Sequence, residues 1–173
     1  MTLPPLTLIL GGARSGKSRH AEHLICQLPE PWTYIATAQA FDEEMRARIE
    51  EHRARRGAGW VTVEAPTGLG DAIRGADKQA PLLVDCLTLW LSNIMLAEAS
   101  VESELSTLEA ALDDRTAPSI LVSNEVGWGI VPENALARAF RDEAGRIHQR
   151  LAARADNVLT MIAGLPMTVK AAE

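Results

Sequence analysis

A stretch near the start of the chain has the residue types and spacing that hold phosphate groups: Gly11-Gly12-Ala13-Arg14-Ser15-Gly16-Lys17-Ser18. It satisfies the pattern G-x-x-x-x-G-K-[ST], in which the glycines let backbone N–H groups turn inward around the phosphates. Lys17 can reach the β and γ oxygens as a point charge, and the Ser18 hydroxyl can ligate Mg²⁺. The motif predicts that the chain binds a nucleoside triphosphate together with Mg²⁺.

The segments on either side of this loop fit that interpretation. An apolar run, 6–10, precedes the loop, and a helix-prone segment, 19–28, follows it as far as Pro29. This strand–loop–helix setting is the context that the motif requires, and the helix adds its positive end. The alternative is a plain glycine-rich turn between a strand and a helix, but the context favours phosphate binding.

Asp85 is a second candidate for phosphate chemistry. It ends an apolar run, 82–84, where a second element of phosphate-loop folds carries an acidic residue that holds Mg²⁺, usually through water. An aspartate at the end of a strand can equally cap the next helix, here from Leu87 onward. Both interpretations stay open, and the loop upstream favours the metal.

The segment 41–57 is highly charged and yet has the pattern of a helix. One side of that helix carries Phe41, Met45, Ile49 and His52. Two pairs of opposite charge at i,i+4 spacing support its polar face, Glu44 with Arg48 and Glu51 with Arg55. The simpler interpretation is therefore a solvated helix on which His52 merely packs.

A second interpretation gives His52 a chemical role. Several arginines are close to it in the sequence: Arg48, Arg53, Arg55 and Arg56. Guanidinium groups would neutralise a phosphoryl group beside the ring and would favour the neutral imidazole, which could then attack phosphorus. The residues alone leave both interpretations open, because a lone histidine is more often structural.

Strand-like apolar runs alternate with helical patterns along the rest of the chain. The predicted strands are 6–10, 32–36, 60–63, 81–84, 119–122, 157–163 and 167–170. Helical spacing recurs at Leu105, Leu108 and Leu112, and after Pro132 at Leu136, Phe140, Ile147 and Leu151. The alternation predicts an α/β fold with a mostly parallel sheet flanked by helices. The turn Gly164-Leu165-Pro166 predicts an antiparallel hairpin at the C-terminal edge of the sheet.

Length and composition predict a single domain, 1–173, and the phosphate loop makes that domain P-loop NTPase-like. A chain of 173 residues with 47% hydrophobic content suits one compact core. The net charge of −6 argues against a general nucleic-acid or membrane-surface binder. The N-terminus does not resemble a secretory signal, and the longest apolar stretch, 87–97, is too short to span a bilayer. We therefore expect a cytoplasmic protein without a membrane span, in which Cys26 and Cys86 are free thiols.

Further segments follow the phosphate loop in a characteristic order. They are Tyr34-Ile35-Ala36-Thr37-Ala38, Arg48-Ile49-x-x-His52 with Arg56 and Trp60, Asp85-Cys86-Leu87-Thr88, and the block 123–134. Together with residues 11–19, they resemble the bifunctional adenosylcobinamide kinase and adenosylcobinamide-phosphate guanylyltransferase family of cobalamin biosynthesis. By that resemblance, His52 is the residue that becomes guanylylated. Some relatives have adjacent histidines in this segment, whereas Glu51 precedes the histidine here, and relatives can carry glutamate where Asp85 stands.

The resemblance implies two reactions in one enzyme. The first moves a γ-phosphoryl group from ATP or GTP to the hydroxyl of adenosylcobinamide. The second moves GMP from GTP to the resulting phosphate through guanylyl-His52 and releases pyrophosphate. The resemblance also implies a homo-oligomer, with a trimer as one candidate. Besides the loop, the residues that it places around the nucleotide are Ala36, Thr37, Ala38, Arg53, Ala54, Arg55, Glu64 and Asp85.

Two rival functions and one loop stay open. A GTP-dependent switch would use the phosphate loop, but the sequence lacks the guanine-reading motif Asn-Lys-x-Asp. A switch would also leave the conspicuous residue pattern in 48–60 without a function. A simple small-molecule kinase would use the loop and Asp85 without a nucleophilic histidine. Asn124, Glu125 and the Gly127-x-Gly129 turn follow a predicted strand, so they either border the corrinoid or form an ordinary connection.

Overall fold

The computed structural model describes residues 3–40 and 43–171, with the exception of the side chains at positions 44, 45, 48 and 55. The strands are β1 (Leu6–Gly11), β2 (Trp32–Ala36), β3 (Trp60–Glu64), β4 (Leu82–Asp85), β5 (Ser119–Asn124), β6 (Asn157–Ile162) and β7 (Leu165–Lys170). The helices are α1 (Lys17–Ile25), α2 (Glu43–Arg55), α3 (Leu69–Gly75), α4 (Leu87–Leu96), α5 (Val101–Asp113) and α6 (Ala135–Arg154).

The strands form one sheet in the order β3-β2-β4-β5-β1-β6-β7. Every neighbouring pair is parallel except β6 and β7, which are antiparallel. The carboxyl ends of β1, β2, β4 and β5 therefore meet at one edge, where open α/β sheets hold their ligands. Strand β5 lies between β1 and β4, so the phosphate loop and Asp85 follow strands that are not direct neighbours.

Apolar side chains cover both faces of the sheet, because successive strand residues point to opposite sides. Leu8 and Val84 belong to a core cluster with residues of helices α3, α4, α5 and α6. Ile9 and Leu83 belong to a second cluster with residues of helix α1. The prediction of an α/β fold with a mostly parallel sheet, flanking helices and an antiparallel edge hairpin is confirmed.

The hairpin turn differs in detail from the sequence prediction. Leu165 and Pro166 belong to β7, and the turn itself consists of Ala163 and Gly164, with φ angles of 51° and 81°. Two consecutive left-handed residues match the twist of an antiparallel pair, which explains why the turn is this short. Pro166 is tolerated because β7 is an edge strand.

Two helix boundaries also differ from those predicted. Helix α1 ends at Ile25 rather than near position 28. Helix α6 begins at Ala135, after Asn134, whose side chain accepts a hydrogen bond of 3.0 Å from the backbone N–H of Ala137. Pro132 therefore precedes the helix instead of lying in its first turn, because the asparagine cap fixes the start. Across the part of the chain that is described, none of the helices has the length and apolar character needed to cross a membrane.

Candidate functional site

The phosphate loop connects the end of β1 to the start of α1. Gly16 has a φ of +93°, and a Cβ there would lie 3.3 Å from the Cα of Gly164 in the hairpin turn. A Cβ at Gly11 would lie 2.6 Å from Ser15 Oγ, so glycine is needed for the loop to fold this tightly. The buried Lys17 side chain lies across the loop, and its Nζ donates a hydrogen bond of 2.8 Å to the Gly12 carbonyl.

Asp85 ends β4 and faces the same cavity as Lys17. Its Oδ2 accepts a hydrogen bond of 3.1 Å from the hydroxyl of Tyr34, a buried residue of β2. Burial, and then the charge of Asp85, raise the pKa of the Tyr34 hydroxyl far above its usual range. The phenol therefore stays protonated and holds one carboxylate oxygen in place.

Thr37 connects the ends of β2 and β4. Its fully buried hydroxyl donates to the Cys86 carbonyl at 2.7 Å and accepts from the Cys86 backbone N–H at 2.8 Å. The Asn93 amide donates to the Thr37 carbonyl at 2.9 Å. The Thr37 side chain thus fixes the backbone next to Asp85, while its neighbours Ala36 and Ala38 line the cavity.

Helix α2 brings His52 to this edge of the sheet. The ring Nδ1 lies 3.9 Å from Oδ2 of Asp85, and the two side chains are 23% and 11% exposed. The neighbouring Arg53 forms an ion pair with Glu64 at the end of β3. A carboxylate therefore lies close to the histidine, in addition to the arginines that the sequence suggested.

One cavity of about 500 Å³ brings many of the predicted site residues together. The predicted residues that line it are Lys17, Ser18, Ala36, Ala38, His52, Arg53, Glu64 and Asp85. Residues 11–16, Thr37 and Ala54 do not line it, and the side chains of Arg48 and Arg55 lie outside the described part of the structure. The phosphate loop therefore reaches the cavity through Lys17 and Ser18.

Several lining residues were not among the predicted nucleotide contacts. Tyr34, Arg46, Arg56, Leu89 and Asn124 also line the cavity. Asn124 ends β5 and is already expected at this edge from the sequence, whereas Tyr34 lies in the middle of β2, where no strand-end signal indicates it. Leu89 carries no such signal, because its place depends on how helix α4 packs.

A buried polar cluster lies behind the phosphate loop. His148 Nε2 of α6 is 2.7 Å from Ser123 Oγ of β5, and His148 Nδ1 is 3.7 Å from Oε2 of Glu125. Burial lowers the pKa of His148, and the Glu125 charge opposes that shift. The backbone N–H of Glu125 donates to the Gly11 carbonyl at 3.0 Å. The cluster is therefore one hydrogen bond away from the phosphate loop.

The segment after Glu125 presents apolar side chains to solvent. Gly127 donates its backbone N–H to Glu125 Oε1 at 2.7 Å, and Trp128 and Ile130 are 80% and 97% exposed. The Asn124 amide donates to Thr88 Oγ1 at 2.8 Å while lining the cavity. The two interpretations of this segment, a corrinoid border or an ordinary connection, remain predictions.

Sequence comparison decides the family. A profile of the family described as "Cobinamide kinase / cobinamide phosphate guanyltransferase" matches residues 7–169. The chain belongs to this family. The resemblance inferred from the motifs is confirmed, and with it the prediction of a bifunctional transferase.

Curated relatives match over nearly their whole length. The chain is 50% identical to the bifunctional adenosylcobalamin biosynthesis protein CobP of Pseudomonas aeruginosa, over 94% of this chain and 96% of the relative. It is 44% identical to the bifunctional adenosylcobalamin biosynthesis protein CobU of Salmonella typhimurium, over 95% of this chain and 99% of the relative. The family assignment therefore covers the whole cavity, including helix α2.

Solved structures with low identity support the fold alone. The chain is similar to the RadB recombinase, with a TM-score of 0.52, 17% identity and coverage of 92% of this chain and 75% of that one. It is also similar to an ATPase of a bacterial type III secretion system, with a TM-score of 0.54 and 12% identity. The latter match covers 94% of this chain and 56% of that one. Both likenesses agree with the predicted P-loop NTPase-like class.

The oxygen atoms of the family site suit Mg²⁺. Ser18 contributes a hydroxyl and Asp85 a carboxylate to the same cavity, and Mg²⁺ prefers such hard oxygen ligands together with phosphate oxygens and water. The Asp85 oxygen that accepts from Tyr34 retains further lone pairs, and its second oxygen is a further acceptor. Cys26 and Cys86 are both free, and burial raises the pKa of the Cys86 thiol, which keeps it unreactive.

Proposed function

We propose that the enzyme phosphorylates adenosylcobinamide with ATP or GTP and then transfers GMP from GTP to adenosylcobinamide phosphate. The second reaction proceeds through a guanylyl-His52 intermediate and yields adenosylcobinamide-GDP and pyrophosphate. The observation that carries this proposal is that Lys17 and Ser18 of the phosphate loop and His52 of helix α2 line one cavity. A plain kinase would leave His52, about a quarter exposed beside Asp85, without a task.

In the kinase step, the hydroxyl oxygen of adenosylcobinamide bonds to the γ-phosphorus. The bond from that phosphorus to the bridging oxygen breaks, the nucleoside diphosphate leaves with the electron pair, and the hydroxyl proton passes to solvent. Lys17 and the backbone N–H groups of the loop hold the phosphates and offset charge on the leaving group. Positioning and charge neutralisation suffice for this step, because phosphoryl transfer needs little covalent help.

In the guanylyl step, a ring nitrogen of His52 bonds to the α-phosphorus of GTP. The bond to the bridging oxygen breaks, and pyrophosphate leaves with the electron pair. An oxygen of adenosylcobinamide phosphate then bonds to the same phosphorus, and the N–P bond breaks with its electron pair returning to the imidazole. Because Nδ1 faces Asp85 at 3.9 Å, Nε2 is the nitrogen we assign to the attack.

Asp85 has two tasks in this proposal. Its carboxylate stabilises the positive charge that develops on the ring when the other nitrogen bonds to phosphorus. With Ser18, it would also hold Mg²⁺, which when bound supplies positive charge to the phosphate oxygens. Tyr34 keeps the carboxylate oriented for both tasks.

We infer the wider binding site from the same cavity. Ala36, Ala38, Arg53 and Glu64 line it and are proposed to contact the nucleotide, and Thr37 supports it from behind. Ala54 and Arg55 are proposed to belong to the site by family resemblance. Gly11 to Gly16 are proposed to contact the phosphates through their backbone.

The remaining expectations stay proposals. We propose one domain, 1–173, working in the cytoplasm as a homo-oligomer, with a trimer as one candidate. An exposed edge strand with apolar side chains supports association, since Leu165, Met167 and Val169 of β7 are all more than half exposed. Light scattering of the purified protein gives its mass and tests this point.

The test of the function is covalent labelling. Purified protein is incubated with Mg²⁺ and GTP labelled on the α-phosphate, without corrinoid, and the modified peptide is mapped by mass spectrometry. An acid-labile GMP adduct on His52 is expected, and adenosylcobinamide phosphate should then discharge it. His52→Asn should abolish the adduct while phosphorylation of adenosylcobinamide continues.

His23→Asn serves as the matched control. His23 is exposed on helix α1, and its Nε2 forms a hydrogen bond of 3.1 Å with Gln27 Nε2, away from the cavity residues. This variant should therefore label normally. If His52→Asn were still labelled, His52 would not be the residue that accepts GMP. If GTP bound without forming any adduct, the covalent route would be wrong, and the chain would be a kinase without the second activity.

A further inference from the structure

Two arginines close to His52 in the sequence, Arg53 in helix α2 and Arg56 directly after it, have different surroundings. Arg53 forms an ion pair with Glu64, so a carboxylate already offsets its charge. Arg56 stacks instead on Tyr34, with Cζ 3.6 Å from the centre of the ring. Its Nη1 is buried and has no hydrogen-bond partner in the described structure. Arg56 therefore presents a buried donor that no described group accepts.

Aromatic packing holds this guanidinium in place. Tyr34 packs edge-on against Trp60, with ring centres 5.9 Å apart, and Trp60 packs against Trp32 at 5.4 Å. The Arg56 backbone N–H donates to the Arg53 carbonyl at 3.1 Å. A planar cation on a fixed aromatic face loses little freedom when it binds an anion, so the arrangement is preorganised.

Arg56 is connected to His52 through two side chains. The Tyr34 ring lies under the guanidinium, and its hydroxyl donates to Asp85 Oδ2 at 3.1 Å. The same oxygen lies 3.9 Å from His52 Nδ1. All four side chains line the cavity. The guanidinium and the imidazole are thus positioned by one shared pair, Tyr34 and Asp85.

A buried guanidinium N–H without an acceptor is unfavourable, and the aromatic stack does not supply the missing acceptor. A phosphoryl oxygen would supply it, because guanidinium and phosphate form strong charge-assisted hydrogen bonds. We propose that Arg56 binds a non-bridging oxygen of the α-phosphoryl group that His52 accepts from GTP and passes to the acceptor. This inference rests on the proposed function and assigns one residue within it.

The proposed contact matters most in the transition state, in which the α-phosphorus is partly bonded to both pyrophosphate and His52. Negative charge on its non-bridging oxygens is held beside Arg56 as the bond to pyrophosphate breaks and the bond to His52 forms. The same contact serves the return step, in which the acceptor oxygen replaces the histidine. Arg56 is therefore expected to affect formation and discharge of the adduct and to leave transfer of a γ-phosphoryl group almost unchanged.

The test measures single-turnover formation of the GMP adduct. Arg56→Met keeps a long apolar side chain over Tyr34 and removes the donors, and adduct formation should fall roughly 10²-fold. Arg56→Lys keeps the charge without the planar fork and should recover part of the rate. Arg74→Met is the matched control, because Arg74 lies on helix α3 and pairs with Asp71.

Two further measurements separate binding from structure. Phosphorylation of adenosylcobinamide with ATP and the thermal midpoint should both stay near the unsubstituted values in Arg56→Met. An unchanged rate of adduct formation would overturn the inference, and so would an equal loss of both reactions with a lowered midpoint. Either result leaves the proposed function standing if His52→Asn still abolishes the adduct, so the two proposals fail separately.

Discussion

The phosphate loop and helix α2 reach the same cavity by different means. The loop is tied by its main chain to its neighbours, since the Gly11 carbonyl accepts from Glu125 and the Ser15 carbonyl accepts from Gly164, both at 3.0 Å. Most described residues of helix α2 are exposed, and its His52 and Arg53 side chains contact Asp85 and Glu64 at the ends of β4 and β3. One region is held by backbone and the other by side chains.

This difference has a consequence for the two proposed reactions. Both need phosphates to be held, and the backbone contacts of the loop are insensitive to most substitutions. Only the guanylyl step needs helix α2, whose contribution can be removed one side chain at a time. We therefore expect substitutions in helix α2 to lower the guanylyl transfer alone, and substitutions in the phosphate loop to lower both activities.

Lys17→Ala should give the largest effect. Removing the charge at the phosphates should lower both reactions, each roughly 10²- to 10³-fold, because it acts on every leaving group. Steady-state rates of phosphorylation and of GMP transfer are the measurement. Lys78→Ala, on an exposed lysine near Asp114, should change neither. A loss confined to one reaction would contradict the comparison.

Asp85→Asn acts where the two regions meet. The amide keeps the shape and removes the charge beside His52 and Ser18, so both reactions should fall, by about 10- to 100-fold, and require more Mg²⁺. Rates measured across a Mg²⁺ titration check this. Asp71→Asn, an exposed carboxylate on helix α3, is the control. If excess Mg²⁺ restored neither reaction, the assignment of the metal to Asp85 would lose its support.

Thr37→Val tests how much the buried hydrogen bonds between Thr37 and Cys86, behind the cavity, contribute to stability. The substitution keeps the volume but leaves the N–H and carbonyl of Cys86 without their partner, so unfolding free energy should fall by about 2–4 kcal/mol. Urea unfolding gives the value. Thr116→Val, which removes an exposed hydroxyl bound to the Lys78 carbonyl, should cost less than about 1 kcal/mol. Equal costs for the two variants would mean that the buried contacts do not support the site.

The smallest expected effect concerns pH and the cluster behind the loop. Burial lowers the pKa of His148 below 6.5, so the folded protein binds fewer protons than the unfolded chain as the pH falls from that value. The contribution of His148 to stability is complete above pH 6.5 and is lost as the pH falls through the folded pKa. His148→Gln should flatten this acid-side loss in urea midpoints, even if its stability is lower throughout. An unchanged slope would show that another group carries the dependence.

Much of the fold and of the site could be predicted because the signals are local. The phosphate loop, its strand and its helix lie within one short stretch, and the apolar run before Asp85 marks its own end. The position of β5 between β1 and β4 could not be predicted, since strand order depends on packing across the whole chain. Arg56 on Tyr34 and His148 beside Ser123 join residues on different elements, so no spacing in the sequence indicates them.

The hairpin turn has a consequence for protein engineering. A two-residue turn that leads into an edge strand is ordinarily a safe place to insert residues or a tag. Here the Gly164 N–H is bound to the Ser15 carbonyl, and the Gly164 Cα lies against Gly16, so the turn forms one wall of the phosphate loop. Lengthening it by even one residue would shift that wall. An affinity tag or fluorescent label therefore belongs on another surface, although this turn looks like the obvious position for one.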